Sequence, residues 1–238
     1  AGSLTEAGNQ DDGIPVAGTS TATGTLTATD VDAGATQTWT IQNTPSTTYG
    51  SIAINSFTGV WTYTLDNSLA ATEALKEGQS VTQTYTARVT DEVGAYVDQT
   101  ITVNIVGTND VPTIDSATNP AAISEIDGDS SAQDIPATTG TITITDQDLG
   151  DTLTVSVKGH ATATYNNGEV PDDPAVNIDA LIASGAISFE ALTSDGGEQT
   201  IDWTYDPDAA DLDWLRLCDT LTLTYVAQVN DGKGNVGS

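Results

Sequence analysis

With 238 residues, 37% of them hydrophobic, the chain has room for two ordinary domains with a modest core each, which excludes a disordered segment. Its formal charge of −29, from 34 Asp and Glu against 5 Lys and Arg, excludes a phosphate backbone as partner, because that needs a basic face. Cys218 is the only cysteine, so no internal disulfide forms; no apolar run approaches the roughly 20 residues needed to span a membrane, and the start shows no signal-peptide pattern.

Taken in chain order, the first alternating run covers residues 24–29 and ends at Asp30 and Asp32. Trp39 with Ile41, and then Trp61 with Tyr63, sit in similar alternations and read as core. Residues 68–77 are predicted to form a short helix ended by Gly78. Val81, Gln83, Tyr85, Ala87 and Val89 share one strand face and lead to Asp91; Ile101, Val103 and Ile105 share another. Pro112 cannot donate to a ladder, so the boundary falls at residues 107–112. Strands resume near Thr141 and again over residues 153–157. A helix is expected at residues 177–183 and another at 208–217, which would carry Trp214. Leu221, Leu223, Tyr225, Ala227 and Val229 alternate toward Asp231. The sequence ends at Ser238, before a full counterpart of residues 97–106, so an open sheet edge is expected there.

The chain repeats itself. Gly24-Thr25-Leu26-Thr27-Ala28-Thr29-Asp30-Val31-Asp32 returns 116 residues later as Gly140-Thr141-Ile142-Thr143-Ile144-Thr145-Asp146-Gln147-Asp148. Trp61-Thr62-Tyr63 returns as Trp203-Thr204-Tyr205, and Tyr85 to Asp91 returns as Tyr225 to Asp231, at spacings of 142 and 140. Repeat two is therefore longer, with an insertion near residues 158–183. Many short Thr-rich alternating strands between turn residues indicate two-sheet sandwiches.

Two carboxylates about 4 Å apart repel by roughly 4 kcal/mol at an effective dielectric of about 20. Acids recurring at strand ends are therefore either spread and solvated or neutralised by cations. The repeated placement of Asp30, Asp32 and Asp91, and of Asp146, Asp148 and Asp231, favours a divalent cation, and calcium takes oxygen ligands.

The ordered blocks at residues 24–32, 49–50, 58–63 and 107–112 resemble the VCBS-type repeats of giant bacterial surface adhesins, type I-secreted proteins related to the RTX family. More distantly they resemble cadherin repeats. The resemblance implies an all-β chain of two tandem Ig-like, cadherin-like Greek-key sandwiches in an elongated arrangement: residues 1–107, a calcium-binding linker at 108–112, and residues 113–238. It implies calcium ligands at Glu6, Asp30, Asp32, Asp66, Asp91, Asn109, Asp110, Glu125, Asp146, Asp148 and Asp231. Gly107, Asn67 and Ser68 stand where the cadherin pattern has further acids. Alternating strand ends would put Glu6 and Asp66 at the bottom of module one, and Asp146, Asp148 and Asp231 at the top of module two.

The function this implies is a calcium-rigidified extender on the bacterial cell surface, spacing an adhesin's binding tip from the cell in adhesion and biofilm formation. Its partners would be neighbouring repeats of the same polypeptide, with neither nucleic acid nor membrane insertion. The alternative makes module two a glycan- or peptide-binding adhesin domain that meets a cell-surface glycan or protein. Its inserted Tyr165, Asn166, Asn167 and Pro171-Asp172-Asp173-Pro174 would then project as a loop, and exposed aromatics clustered there would mark it. Enzyme activity is not expected. His160 is the only histidine, so no His-based zinc motif exists, and no flanking motif identifies a nucleophile. Cys218 stands at the position of Gly78 in the repeat, and a left-handed turn there would strain it.

Overall fold

The computed structural model describes residues 1–9, 13–32, 35–42, 45–126, 128–129, 131–166, 168–172, 176–234 and 236–237. Asn167, Asp173 and Pro174 of the insertion lie outside them. The chain forms two compact units: Ala1–Val111 with Gln147–Gly150, and Pro112–Asp146 with Asp151–Ser238.

The first unit contains β1 (Gly2–Thr5), β2 (Gly8–Asn9), β3 (Pro15–Val16), β4 (Thr21–Thr25), β5 (Gln37–Ile41), β6 (Gly50–Ile54), β7 (Val60–Leu65), α1 (Ala70–Glu73), β8 (Ser80–Asp91) and β9 (Tyr96–Val106). One sheet runs β1-β9-β8-β5 and faces a second, β4-β7-β6. β1 pairs parallel to β9, with Gly2 opposite Val103 and Thr5 opposite Val106. The long ladder from Ser80↔Val106 to Thr90↔Tyr96 forms a hairpin. The period-2 pattern turns Leu4, Trp61, Tyr63, Tyr85, Ala87, Ile101, Val103 and Ile105 into one buried core.

The second unit contains β10 (Thr113–Ala117), β11 (Thr138–Thr145), β12 (Thr152–Val157), β13 (Thr162–Tyr165), α2 (Asp179–Ile182), β14 (Ile187–Phe189), β15 (Leu192–Thr193), β16 (Glu198–Tyr205), β17 (Leu221–Thr224), β18 (Ala227–Asn230) and β19 (Val236–Gly237). Its sheets run β10-β11-β16-β14 and β15-β12-β18-β19, with a β13-β17 ribbon. The all-β, two-sheet sandwich architecture is thus present in both modules, and the internal repeat extends to the packing. Tyr63 lies against Tyr85 with ring centroids 5.8 Å apart, and Tyr205 against Tyr225 at 5.9 Å.

The repeated glycine has a physical cause. Gly24 is registered opposite Trp61, and Gly140 opposite Trp203. A Cβ at Gly24 would lie 2.7 Å from the Trp61 ring; one at Gly140 would lie 2.4 Å from that of Trp203. Each indole lies over a bare backbone, so the two residues recur together.

Helices are shorter than expected. The first covers Ala70–Glu73 rather than 68–77, and the inserted one Asp179–Ile182 rather than 177–183. Residues 208–217 form turns instead of a helix. There the Ala210 amide and carbonyl exchange hydrogen bonds with Gln133, at 3.1 and 2.8 Å, which removes the groups a helix would use internally. Ala210 and Leu212 instead pack with Leu181 in a satellite core. Tyr165 lies in a strand paired with β17 rather than in a projecting loop. The open edge expected at the end of repeat two is partly covered, because β19 pairs with β18 at Asn230↔Val236 and Val229↔Gly237.

Candidate functional site

In the first unit Glu6 follows the parallel strand β1 and is fully buried, although it carries a carboxyl group. Its backbone N–H donates to the Val106 carbonyl at 2.9 Å, which fixes it beside the end of β9. Oε2 accepts the Thr108 amide at 3.1 Å, whereas Oε1 is buried without a hydrogen-bond partner. Burial pushes this carboxyl up to about 8, against the pull of the Thr108 amide; the charges of Asp110, Glu73 and Asp148 push it further up.

The neighbouring groups are oxygen-rich. Asn109 is buried, and its carbonyl accepts the Asn9 amide at 2.6 Å. The Asp110 amide donates to Asp148 Oδ2 at 2.7 Å, which ties the 147–150 segment into this unit. Asn67 Nδ2 donates to the Ala7 carbonyl at 3.1 Å. Glu73, in the first turn of α1, is half-buried and raised by desolvation.

The structure therefore brings Glu6, Asp110 and Asp148 within electrostatic reach of one another, next to Asn109. It treats Asp66 differently: that carboxylate is exposed, and its Oδ1 accepts the Ser68 hydroxyl at 2.7 Å and the Ser68 amide at 3.0 Å, which holds its pKa below the usual range. Asp30 and Asp91 both line a groove of about 600 Å³ in the first unit. There Asp30 Oδ1 accepts the amide of exposed Asp32 at 2.9 Å, and Asp91 Oδ1 accepts the Val93 and Ala95 amides that close the β8–β9 turn.

In the second unit Asp146 and Asp231 are buried at the ends of β11 and β18, and buried Asp151 precedes β12. The Ser194 hydroxyl donates to the Asp146 carbonyl at 3.0 Å, and the Ser194 amide to the Asp151 carbonyl at 2.8 Å. Glu125, one of the calcium ligands that the resemblance implies, lies in the irregular stretch after β10. That stretch is held by Gln133, whose Oε1 accepts the Ile126 amide at 2.8 Å.

Glu73 and Asp151 were not foreseen from the sequence. Glu73 lies beyond Asn67 and Ser68, where the resemblance marks missing acids, and Asp151 faces Ala35 in the repeat, so comparison of the modules hid it. Among the described residues, no three His, Cys, Asp or Glu side chains converge as a preformed metal site. The donor set nevertheless fits a hard cation: carboxylate, amide and carbonyl oxygens, one of them a buried carboxylate oxygen with no hydrogen bond.

The insertion contributes one member of an aromatic pair. Tyr165 and Trp214 are half-buried with centroids 5.5 Å apart, and the Tyr165 hydroxyl donates to Asp219. Asn166 Nδ2 donates to the other Asp219 oxygen at 2.9 Å. These polar groups are engaged with one another and fasten the β13–β17 ribbon to the 211–219 turns.

Residues 1–107 match the family model of the bacterial cadherin-like domain. The match covers the greater part of the first unit. A search of curated proteins returns no significant match. Among solved structures, protocadherin gamma B2 domains 3–6 are similar at 16% identity over 94% of this chain and 44% of that one, with a TM-score of 0.36. Human desmocollin-1 is similar at 16% identity over 87% and 29%, with a TM-score of 0.35. The Yersinia pseudotuberculosis adhesin InvE is similar at 13% identity over 98% and 54%, with a TM-score of 0.28. The chain thus spans between about a third and about half of these structures' lengths. Among the described residues, no helix is long and apolar enough to cross a membrane.

Proposed function

We propose that the two modules are calcium-rigidified extender repeats of a giant, type I-secreted bacterial surface adhesin of the VCBS and RTX kind. They would hold its binding tip away from the cell in adhesion and biofilm formation. The observation that carries this reading is Glu6: a fully buried carboxyl with an orphaned oxygen, surrounded by further acids. An isolated buried carboxylate is costly, and its retention makes sense when a cation compensates it. Glu6, Asn109, Asp110, Asp148 and Glu73 would hold one ion. Asp30, Asp32 and Asp91 would supply ligands at the other end of module one, and Asp146, Asp151 and Asp231 those of module two. Asp66 and Glu125 would join only after local rearrangement. Calcium accepts about 6–8 oxygens in flexible geometry, so a site that is not preassembled can close around it.

The decisive measurement is thermal unfolding after chelation and again in millimolar calcium. Linkage gives about 2.7 kcal/mol per site at a hundredfold excess over the dissociation constant, which corresponds to a rise of several degrees in Tm. An unchanged Tm would remove the metal reading. Small-angle scattering under the same two conditions separates binding from stiffening, since a flexibility signature that ignores calcium would remove the mechanical role alone.

A further inference from the structure

Only 5 residues of the chain are Lys or Arg, against 34 Asp and Glu, and two of the five stand at one place in the repeat. At the spacing of 140 that aligns Gly78 with Cys218, Lys76 corresponds to Arg216. Each opens the same turn. The Gln79 amide donates to the Lys76 carbonyl at 2.9 Å, and the Asp219 amide to the Arg216 carbonyl at 2.8 Å. Side-chain oxygens of Gln79 and Asp219 in turn accept the amides of Lys76 and Arg216, at 3.3 and 2.9 Å. Both modules therefore hold a cation on the same backbone frame.

In the first unit that frame lies against the acid cluster. A Cβ at Gly107 would lie 2.5 Å from the Lys76 carbonyl oxygen, so the Lys76 backbone presses on the start of the linker. Further along the linker, the Thr108 amide donates to Glu6 and the Asp110 amide to Asp148. Two residues past Asp148 stands Gly150, in the 147–150 segment of the same unit. A Cβ there would lie 3.3 Å from Lys76 Nζ and 3.6 Å from its Cε. With φ of 85° and no side chain, Gly150 leaves the ammonium room to lie on the segment. The contacts close a ring. Half-buried Lys76 meets the linker with its carbonyl and the 147–150 segment with its ammonium, and the path between them passes Glu6, Asp110 and Asp148.

We infer that Lys76 is the counter-cation of the Glu6, Asp110 and Asp148 cluster in the metal-free protein, and that calcium has to displace it. A lysine ammonium is a single point charge on a flexible stem; it offsets part of the carboxylate repulsion but supplies no oxygen ligand. Calcium brings two charges and takes about 6–8 oxygens, so the two cations compete for the same carboxylates. By linkage, whatever Lys76 contributes to the empty state is subtracted from the calcium affinity. The lysine thereby sets the calcium level at which the cluster loads, and below that level it holds the 147–150 segment on module one. The competition rests on the calcium reading of the cluster; the counter-cation role does not.

The test compares Lys76→Gln, Lys76→Arg and the control Lys158→Gln in the full chain. Lys158 is exposed in module two, and its substitution makes the same change in net charge. After chelation, Lys76→Gln is expected to unfold several degrees below the unaltered chain, with Lys76→Arg and Lys158→Gln close to the unaltered value. Calcium affinity, measured by isothermal calorimetry, is expected to rise about fivefold or more in Lys76→Gln and to change little in the other two. Equal Tm values for chelated Lys76→Gln and Lys158→Gln would overturn the proposal. So would a calcium affinity of Lys76→Gln equal to or below that of the unaltered chain. The calcium reading fails on a different result, an unaltered chain that takes up no calcium, and the chelated comparison still decides the role of Lys76.

Discussion

Cys218 has φ of 74° and Gly78, its counterpart in the first module, has φ of 71°. The two turns keep one backbone shape, so the cysteine occupies a left-handed conformation that costs an L-residue roughly 1–2 kcal/mol. A glycine there would relieve this while giving up about 0.5–1 kcal/mol of unfolded-chain entropy. Cys218→Gly is therefore expected to stabilise the second module by roughly 0.5–1 kcal/mol, read from the midpoint of urea unfolding. Glu6 gives a different signature. Its folded pKa lies well above that of an unfolded glutamate, so without metal its contribution is fully present below about pH 4.5 and is lost as pH rises through about 8. The chelated protein should thus lose stability across this window. Glu6→Gln should flatten that slope and abolish most of the calcium-induced rise in Tm. A slope unchanged in the variant would assign it to other carboxyls. Because binding requires the carboxylate, calcium affinity should climb with pH over the same range.

At the scale of elements, strand positions were legible because period-2 alternation is a strong signal; Tyr85, Ala87, Ile101, Val103 and Ile105 all turn inward as their spacing requires. Helices were the weak point. Residues 208–217 carry helix-compatible residues, but the backbone of Ala210 finds its partner in Gln133, 77 positions away, and no local pattern announces that bond. The candidate site was partly legible for the same reason. Acids at strand ends could be found by register, as Asp91, Asp146 and Asp231 were, whereas the run expected over residues 24–29 is a strand only to Thr25 and leaves Asp30 beyond its end. Glu125 was assigned by motif order, whereas the chain after β10 runs irregularly and carries it elsewhere. Asp151 escaped because only one repeat possesses it. The Gly24–Trp61 and Gly140–Trp203 pairs were visible as repeats, but the reason for them, an indole lying across a neighbouring strand, required the ladder.

For the whole molecule, a charge of −29 is the dominant long-range fact. Self-repulsion opposes compaction and is screened by added salt, with a Debye length of about 10 Å at 0.1 M and about 3 Å at 1 M. The chelated protein is expected to gain Tm as sodium chloride rises from 10 mM to 1 M, and the gain should shrink once calcium has neutralised the clustered acids. A salt response identical in both states would mean that the clusters contribute little to that repulsion. The parallel pairing of β1 with β9 carries a separate consequence. Tension along the polypeptide would enter the first module at the start of β1 and leave it at the end of β9. With Gly2 registered on Val103 and Thr5 on Val106, the two pulls act in opposite directions along the strand axes. Their hydrogen bonds are then loaded together in shear rather than unzipped one at a time, so the outermost strand of the sheet becomes the module's mechanical clamp.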